Sequence, residues 1–412
     1  MAEGFLTADD LPATDGSGLR IALFSHSITS DWNHGNAHFL RGLIRNLQRL
    51  GHRVISLEEE GNWSITNLVR DHGIGPIQEF RRRFPFIDRR SYVLNGRAHL
   101  LDWLSELMDR VDVCLVHEWN PPHLVRAIGE MAARRGVISL FHDTHHRAYT
   151  EPDRIRKLGL DSYSAVLAYG PTIAEIYRSI TDGPEVLVFH EGADTDLFRP
   201  LARFKSCDVV FVGNWGDEDR NEATWKFFIN PSQRLPDLGF AIFGVRYPPE
   251  VLAAIRRAGI GWGGWLPNYL APEAYAVSKI TVHIPRREYV EVLRGTPTIR
   301  VFEALACGVP LVSAGWRDDS GLFQAGADYL FVETPEQMIE ALRWLAADAD
   351  ARLRIGSHGR ATVLSRHTCL HRARELTGIL QRLTQGGSGI ARHEDDHRES
   401  PATRTALQMG ER

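Results

Sequence analysis

Short apolar runs alternate with longer stretches of helical periodicity along this chain, and the alternation occurs twice. In the first series the apolar runs lie at 19–24, 52–57, 111–116, 137–141, 164–169 and 185–189. After a polar segment at 190–206, a second series follows at 208–213, 240–244, 280–285, 309–314 and 329–332. Strands that are apolar on both faces and alternate with helices indicate a parallel sheet with helices on both sides. The sequence therefore predicts an α/β fold with two doubly wound domains in tandem.

These two series define the predicted domain boundaries. We expect a leader at 1–18, a first domain at 19–189, a linker at 190–206, a second domain at 207–385 and a tail at 386–412. The tail is polar and poor in large apolar residues, which is typical of disordered segments. Ligands of doubly wound sheets bind beyond the carboxyl ends of the strands, and two such edges can face each other across a cleft. We expect the functional residues at that cleft.

The composition argues against several classes of protein. Lys and Arg total 48 and Asp and Glu total 52, so the formal net charge of -4 provides no general attraction to nucleic acid. No apolar run approaches the ~18 residues needed to cross a bilayer, and the first residues lack the pattern of a signal peptide. The four cysteines have no CxxC spacing, which favours buried, reduced thiols over a zinc or redox motif. We expect a soluble, cytoplasmic protein without a metal site.

The segment GTPTIRVFEALACGVPLVSA at 295–314 carries the most specific signals. Thr296 suits the N-cap of a helix, the following proline suits its first turn, and Gly308 suits the left-handed position after its end. Arg300 and Glu303 are three residues apart and share one helix face. The N-terminus of such a helix attracts a pyrophosphate, and a carboxylate farther along can accept hydrogen bonds from sugar hydroxyls. Considered alone, the pair is more typical of a surface ion pair.

Four sequence phrases, and their order along the chain, resemble the motifs of GT-B glycosyltransferases, particularly the group-1 (family-4-like) set and its relatives similar to the spore-maturation protein CgeB. FEALACGVPLVSA resembles their donor-binding signature, and DTDLFRP resembles the phrase that follows their first domain. DVVFVGNWGDEDR resembles a strand with its phosphate loop, and DSGLFQAGADYLFVETPEQMIEAL resembles the strand and helix after the signature. The resemblance extends over residues 20–380. It implies the GT-B architecture, in which two Rossmann-like domains face each other across a cleft.

The resemblance implies a glycosyltransferase of the hexosyltransferase type, which moves a sugar from a nucleotide-diphosphate sugar to the hydroxyl of an unidentified acceptor. No metal or other cofactor is expected, and the product would belong to glycan, glycolipid, glycoconjugate or natural-product biosynthesis. Two alternatives stay open: a non-catalytic protein that binds nucleotide sugars, and a sugar-nucleotide epimerase with the same two-domain fold. We expect first-domain loops, including the stretch 58–95, to determine the acceptor.

Matched positions in the second domain imply a donor site. Glu303 matches a glutamate expected to hold the ribose, whereas Gly295 replaces the first glutamate of that motif, which leaves the donor sugar and the stereochemical outcome open. Gly213 matches the phosphate loop, and Asn214 replaces the arginine that normally follows it. Arg220 matches the second basic position and can neutralise a phosphate, although a charge on a solvated loop would have the same pattern.

Three further second-domain residues complete the implied donor site. Arg300 is another candidate for the positive charge that the phosphate requires. Trp265 and Leu266 lie in the segment 262–285, which resembles the region where the nucleotide base docks. Tryptophans at these positions are equally typical of a core or of a cavity rim.

The first domain supplies two candidate regions. Gly35 and Asn36 lie in a loop before a helix, and the resemblance implies that this loop approaches the acceptor and the donor phosphate, although a tight turn would have the same sequence. His142 matches a functional histidine at the end of a strand, and Asp143 beside it could orient an imidazole or take the acceptor proton. The alternatives for this histidine-rich segment are a purely structural strand end and a metal site.

Overall fold

The computed structural model describes residues 18–93, 96–216 and 218–386, which form two parallel β-sheets with helices on both faces. The strands of the first sheet are β1 (Arg20–Phe24), β2 (Arg53–Glu59), β3 (Asp88–Tyr92), β4 (Val113–His117), β5 (Ile138–Asp143), β6 (Ala165–Ala168) and β7 (Glu185–Val188). Their order is β3-β2-β1-β4-β5-β6-β7. The helices of this part are α1 (Ala37–Arg49), α2 (Trp63–His72), α3 (Gly75–Arg83), α4 (Arg97–Met108), α5 (Pro122–Arg135), α6 (Arg147–Thr150), α7 (Pro152–Arg156) and α8 (Pro171–Ile180).

The second sheet has the order β10-β9-β8-β11-β12-β13. Its strands are β8 (Cys207–Val212), β9 (Phe240–Phe243), β10 (Gly261–Gly264), β11 (Ser278–His283), β12 (Leu311–Ala314) and β13 (Leu330–Val332). The helices that follow the linker are α9 (Glu218–Thr224), α10 (Asn230–Arg234), α11 (Pro249–Arg257), α12 (Ala271–Ala276), α13 (Arg287–Glu291), α14 (Ile299–Ala306), α15 (Pro335–Ala347), α16 (Ala349–Arg366) and α17 (Cys369–Gly386).

The central strands are buried as the apolar runs predicted. Every residue of β4 and of β6 is buried, because helices cover both faces of the sheet. Helix α5 ends at Arg135 and is followed by Gly136, whose φ of 65° is the left-handed conformation that favours glycine after a helix. The prediction of parallel sheets in an α/β fold is confirmed.

Two strands were not predicted from the sequence, and both lie at the edge of a sheet. β3 has the sequence DRRSY and pairs with β2, whereas β10 has the sequence GWGG and pairs with β9. An edge strand is stabilised by hydrogen bonds to a single neighbour and is covered less, so polar or glycine-rich sequences can form it. The expectation of a loop stretch at 58–95 is therefore wrong, because these residues include α2, α3 and β3.

The last helix returns to the first domain. Helix α17 packs against α1, and the Cys369 thiol lies 3.8 Å from the carbonyl oxygen of Phe39. The linker is fastened at the same place, since the Ala193 N–H donates to the His367 carbonyl at 2.9 Å. The predicted second domain extends to residue 385, whereas α17 at 369–386 packs against α1 of the first domain. The predicted leader at 1–18 and the predicted tail at 386–412 lie outside the described residues, apart from Gly18 and Gly386.

Packed side chains join the two domains. The hydrophobic core of the first sheet continues into the second domain through Tyr275, Ile299 and Phe302. A second core fills the space between the second sheet and helices that include α15. All four cysteines are free thiols. Within the part of the chain that the structure describes, no helix combines the length and the apolar character needed to cross a membrane.

Candidate active site between the two sheets

The carboxyl ends of the two sheets face each other across a cavity of about 170 Å³. The segments after β1, β4, β5 and β6 form one wall, and the segments after β8, β9 and β11 form the other together with the start of α14. Six of the predicted site residues line this cavity: Gly35, Asn36, Gly213, Asn214, Arg220 and Arg300. They come together because the carboxyl ends of parallel strands meet at the same edge of a sheet.

The predicted phosphate loop after β8 is fastened to the loop after β9. The Gly213 N–H donates to the Phe243 carbonyl at 2.9 Å, and Asn214 Oδ1 accepts the Val245 N–H at 3.0 Å. A Cβ on Gly213 would lie 2.6 Å from Arg220 Nη2, so a larger residue would displace that guanidinium. The loop therefore holds Arg220 at the cavity through a close backbone approach that glycine allows.

The N-cap of helix α14 lies two residues beyond the predicted one. Thr298 is the N-cap, whereas Thr296 is fully buried and packs so closely against Gly170 that a Cβ there would overlap it. The prediction that Thr296 caps the helix at the cleft is therefore wrong. His283 Nε2 and Thr298 Oγ1 share a 2.9 Å hydrogen bond that fixes this turn. Thr298 and Ile299 line the cavity, so the positive end of the helix dipole still reaches it.

Arg300 and Glu303 form their ion pair inside the protein. Arg300 Nη1 donates to Glu303 Oε2, and Glu303 Oε1 shares a 3.0 Å hydrogen bond with His38 Nδ1. His38 Nε2 accepts the Asp194 N–H at 2.9 Å, so Nδ1 is the ring nitrogen that carries the proton and donates it to Glu303. A continuous set of hydrogen bonds, which we call the Glu303 network, thus joins the linker, α1 and α14.

Of the ion-paired residues in the Glu303 network, only Arg300 is exposed to the cavity and can contact a ligand. The Glu303 side chain has no exposed surface, whereas the Arg300 side chain is 21% exposed and lines the cavity. Burial raises the pKa of Glu303, whereas the Arg300 charge and the His38 hydrogen bond lower it. The lowering effects are larger, so the pKa lies below its ordinary value. Glu303 is therefore an ionised carboxylate that orients Arg300. The expected contact of Glu303 with a ribose is not favoured by this geometry.

Gly295 occupies a position that no larger residue can take. Its φ is 77°, and a Cβ there would lie 2.6 Å from the backbone nitrogen of Ser320. Both the left-handed backbone and the lack of space exclude a glutamate. The departure from the motif noted in the sequence is therefore built into the backbone of this loop.

The loop before α1 touches the second domain. The Gly35 carbonyl accepts Asn268 Nδ2 at 2.9 Å, and a Cβ on Gly35 would lie 2.7 Å from Ile299 Cγ2. Asn36 is the N-cap of α1, but its side chain donates to Thr144 Oγ1 instead of capping the helix. Gly35 thus allows the close approach of the start of α14, and Asn36 links two loops of the first domain.

The residues predicted at the end of β5 lie inside the domain. His142 and Asp143 belong to the strand, are 1% and 0% exposed, and do not line the cavity. The His142 ring packs near two phenylalanine rings, at 5.8 Å from each. The prediction that both residues face the cleft is wrong, because the strand extends two residues past the apolar run at 137–141. Thr144 and His145 line the cavity instead.

Asp143 acts on the cavity through the next turn. Its Oδ1 accepts the His145 N–H at 2.8 Å, which directs the following imidazole to the cavity wall. Burial lowers the pKa of His145 far below its ordinary value, and His146 and Arg147 lower it further, so the ring is neutral. Burial raises the pKa of Asp143. Burial also raises the pKa of Glu118, and the negative charge of Asp143 raises it further.

Several residues of the cavity wall are not among the site residues predicted from the sequence. They are His34, His145, Tyr169, Glu191, Arg246 and Arg286. Most of them follow the end of a strand, and this position is the signal that could have found them. Burial, followed by the Arg41 charge, lowers the pKa of His34 to about 4, so this ring is also neutral near pH 7.

Solved structures with low sequence identity share this architecture. Anabaena HepE in complex with UDP and glucose has a TM-score of 0.63 at 13% identity, over 88% of this chain and 99% of that one. Sucrose-phosphate synthase from Thermosynechococcus elongatus has a TM-score of 0.62 at 14% identity, over 89% and 100%. The chain has the GT-B fold.

Other comparisons with known proteins add detail to the GT-B assignment. An α-glucosyltransferase in complex with UDP and a 13-mer DNA containing an HMU base has a TM-score of 0.63 at 11% identity, over 89% of this chain and 100% of that one. Residues 220–378 match the family model described as "Glycosyl transferase-like". A comparison with curated protein sequences finds no match.

The predicted base-docking residues of the GT-B second domain bridge the two domains instead. The Trp265 ring lies 4.7 Å from the His72 ring of α2 and packs in a small cluster with Trp32, Leu68 and Val245. Leu266 is partly buried against the main core. Neither residue lines the cavity. The alternative of core or rim aromatics therefore describes these side chains better than a base pocket does.

A second, larger cavity of about 640 Å³ adjoins the first, and the two share the lining residues Asn33, Trp119, His145, Arg246 and Arg286. We call it the outer groove. Its first-domain side carries Trp63 and Trp119, whose rings are stacked at 6.0 Å. Arg246 has a φ of 70°, a conformation that is uncommon for a residue with a side chain and is concentrated at functional sites. Among the described residues, no group of three or more His, Cys, Asp or Glu is arranged to hold a metal ion.

Proposed function

We propose that this protein is a GT-B glycosyltransferase that transfers a hexose from a UDP-sugar to an acceptor hydroxyl without a bound metal. The observation that carries the proposal is the convergence of the α14 N-terminus, Arg220 and Arg300 on one cavity between the two sheets. The complexes of HepE with UDP and glucose and of the α-glucosyltransferase with UDP support uracil as the base of the donor nucleotide. The closer relation to CgeB-like proteins and the biosynthetic role stay predictions.

The donor diphosphate fits the second-domain wall of the cavity. The first N–H groups of α14 have no acceptor in their own helix, and the helix dipole favours an anion there. Arg220 and Arg300 add charged donors, and charge-assisted hydrogen bonds to phosphate are the strong ones. When the bond between the sugar and the diphosphate breaks, these groups stabilise the charge that develops on the leaving UDP.

The acceptor fits the outer groove. This groove opens onto the donor cavity at His145, so an acceptor hydroxyl placed there reaches the donor sugar. The neutral His145 ring can accept a hydrogen bond from that hydroxyl and orient its oxygen. The exposed part of Trp63, which is 40% accessible, offers an apolar surface to the remainder of the acceptor.

Nucleotide specificity and turnover can be measured in two successive experiments. Thermal-shift screening with UDP, GDP and TDP identifies the base, and incubation with the matching nucleotide sugars and a panel of acceptors follows. Release of nucleoside diphosphate only when an acceptor is present supports transfer. Binding without turnover would favour the non-catalytic alternative, and an isomerised donor would favour the epimerase.

A pair of arginine variants locates the activity at the cavity. Arg300→Ala should abolish most of the diphosphate binding. Arg203→Ala is the matched control, because Arg203 is 49% exposed and pairs with Glu273 on the surface of the second domain. Equal effects of the two substitutions would contradict the proposed site.

A further inference from the structure

The donor cavity has one acidic residue in its wall. Among the described residues that line it, four are arginines, at 220, 246, 286 and 300, and Glu191 alone carries a carboxyl group. Glu191 lies in the linker between β7 and β8, is 2% exposed, and its Oε1 has no hydrogen-bond partner among the described residues. A buried polar atom without a partner is rare, so it calls for an explanation.

The backbone around Glu191 is fixed on both sides. The His190 ring shares a 2.9 Å hydrogen bond through Nδ1 with the Tyr169 carbonyl. On the other side, a Cβ on Gly192 would lie 3.0 Å from the His367 carbonyl oxygen, and Ala193 pairs with Thr368. The carboxyl group is therefore held at the cavity wall before any ligand arrives, as expected for a preorganised binding group.

The surroundings of Glu191 favour its neutral form. Burial raises its pKa well above the ordinary value, the negative charge of Glu303 raises it further, and Arg300 opposes both effects. A protonated carboxyl group donates one hydrogen bond and accepts another, as a sugar hydroxyl requires. It also avoids the repulsion that an ionised carboxylate would experience beside a diphosphate.

We propose that Glu191 is a donor-binding residue that hydrogen-bonds a hydroxyl group of the nucleotide sugar. The inference rests on the proposed function, since it requires a nucleotide sugar in this cavity. Gly295 leaves no space for the glutamate that the GT-B motif has at that position. Glu191 supplies an acidic group to the donor cavity from the linker instead. Arginines bind the anionic part of the donor, and Glu191 binds a neutral, hydroxyl-bearing part.

The test compares three variants by calorimetry with UDP and with the UDP-sugar that the wild-type protein binds. Glu191→Ala should weaken UDP-sugar binding by about 10- to 100-fold, because a buried hydrogen bond to the ligand is lost. Glu191→Gln should stay within about 3-fold of the wild type, because a neutral amide also donates and accepts. Glu185→Gln is the matched control, since Glu185 lies six residues earlier and is exposed at the start of β7.

The pH dependence provides a second measurement. The affinity of the wild type should fall as the pH rises and Glu191 ionises, whereas that of Glu191→Gln should stay constant. Unchanged UDP-sugar affinity in Glu191→Ala, or a Glu191→Gln variant as weak as Glu191→Ala, would overturn the inference. If the wild type binds no nucleotide sugar, the proposed function itself fails, and this outcome is distinct from a wild type that binds and an alanine variant that binds equally well.

Discussion

Replacement of Glu303 by alanine should destabilise the protein strongly. The carboxylate has no exposed surface, and it accepts hydrogen bonds from Arg300 and from His38. Removing one partner of a buried ion pair leaves the other charge uncompensated, at a cost of about 3–5 kcal/mol. We therefore expect the free energy of unfolding of Glu303→Ala to fall by about that amount.

The same substitution should weaken nucleotide binding indirectly. Without Glu303, the Arg300 guanidinium is no longer held at the cavity wall, and we expect the affinity for UDP to fall at least about tenfold, or ~1.4 kcal/mol. Urea unfolding and calorimetry measure the two effects separately. Glu273→Ala is the control, because this exposed glutamate pairs with Arg203 at 2.9 and 3.0 Å and such pairs contribute less than about 1 kcal/mol.

The pH dependence of this effect has a definite sign. The pKa of Glu303 is lower in the folded protein than its ordinary value, so its contribution to stability is present above the unfolded pKa. It is lost as the pH falls through the folded pKa, so the difference between Glu303→Ala and the wild type should shrink in acid. A loss no larger than that of Glu273→Ala, or one that persists unchanged in acid, would refute the account of the Glu303 network.

Three further substitutions test the first-domain side of the cavity. His145→Ala should lower kcat about tenfold or more and change the Kd of UDP by less than about twofold, whereas the exposed His123→Ala should change neither; steady-state kinetics and calorimetry measure this. Gly35→Ala should lower the free energy of unfolding in urea by about 1–3 kcal/mol, because its methyl group would collide with α14. Gly378→Ala, with open space around it, should raise that free energy by up to about 1 kcal/mol. Asp143→Asn should exceed the wild type in stability at about pH 8 but not near pH 4, because burial raises the Asp143 pKa and the wild type loses stability as the pH rises toward that value.

Each of these has an outcome that would count against it. Equal losses of kcat in His145→Ala and His123→Ala would remove His145 from the acceptor side. A Gly35→Ala variant as stable as Gly378→Ala would show that the two domains do not meet closely at this loop. A constant stability difference between Asp143→Asn and the wild type across the pH range would mean that Asp143 is not neutral in the folded protein.

The architecture was predictable because it depends on burial. Strands such as β4 and β6 are covered on both faces, and this requirement writes continuous apolar runs into the sequence. The edge strands β3 and β10 carry no such requirement, because pairing with a neighbour is a property of the fold and not of the strand's own residues. Their sequences DRRSY and GWGG could not have predicted them.

The site was predictable where the backbone imposes the residue. Gly213 and Gly35 stand where a Cβ would collide with a neighbour, so their identity marks the position. Side-chain roles were harder to predict. Arg300 and Glu303 share a helix face, but only the packing of His38 against that face shows that the arginine, and not the glutamate, reaches the cavity.

An offset of two residues explains the error at β5. The apolar run ends at residue 141, whereas the strand continues through His142 and Asp143, which pair with β4 or β6 as ordinary members of the sheet. A buried strand end made of polar residues has no hydrophobic signature. His145 is therefore found from the geometry of the turn that Asp143 closes.

The Glu303 network also has a mechanical consequence. The His38–Glu303 hydrogen bond crosses between the domains without access to water, so pulling the domains straight apart would expose an ionised carboxylate and its partner. A rotation about this bond avoids that penalty. We therefore expect any relative movement of the two domains to be a rotation that keeps the His38–Glu303 contact intact.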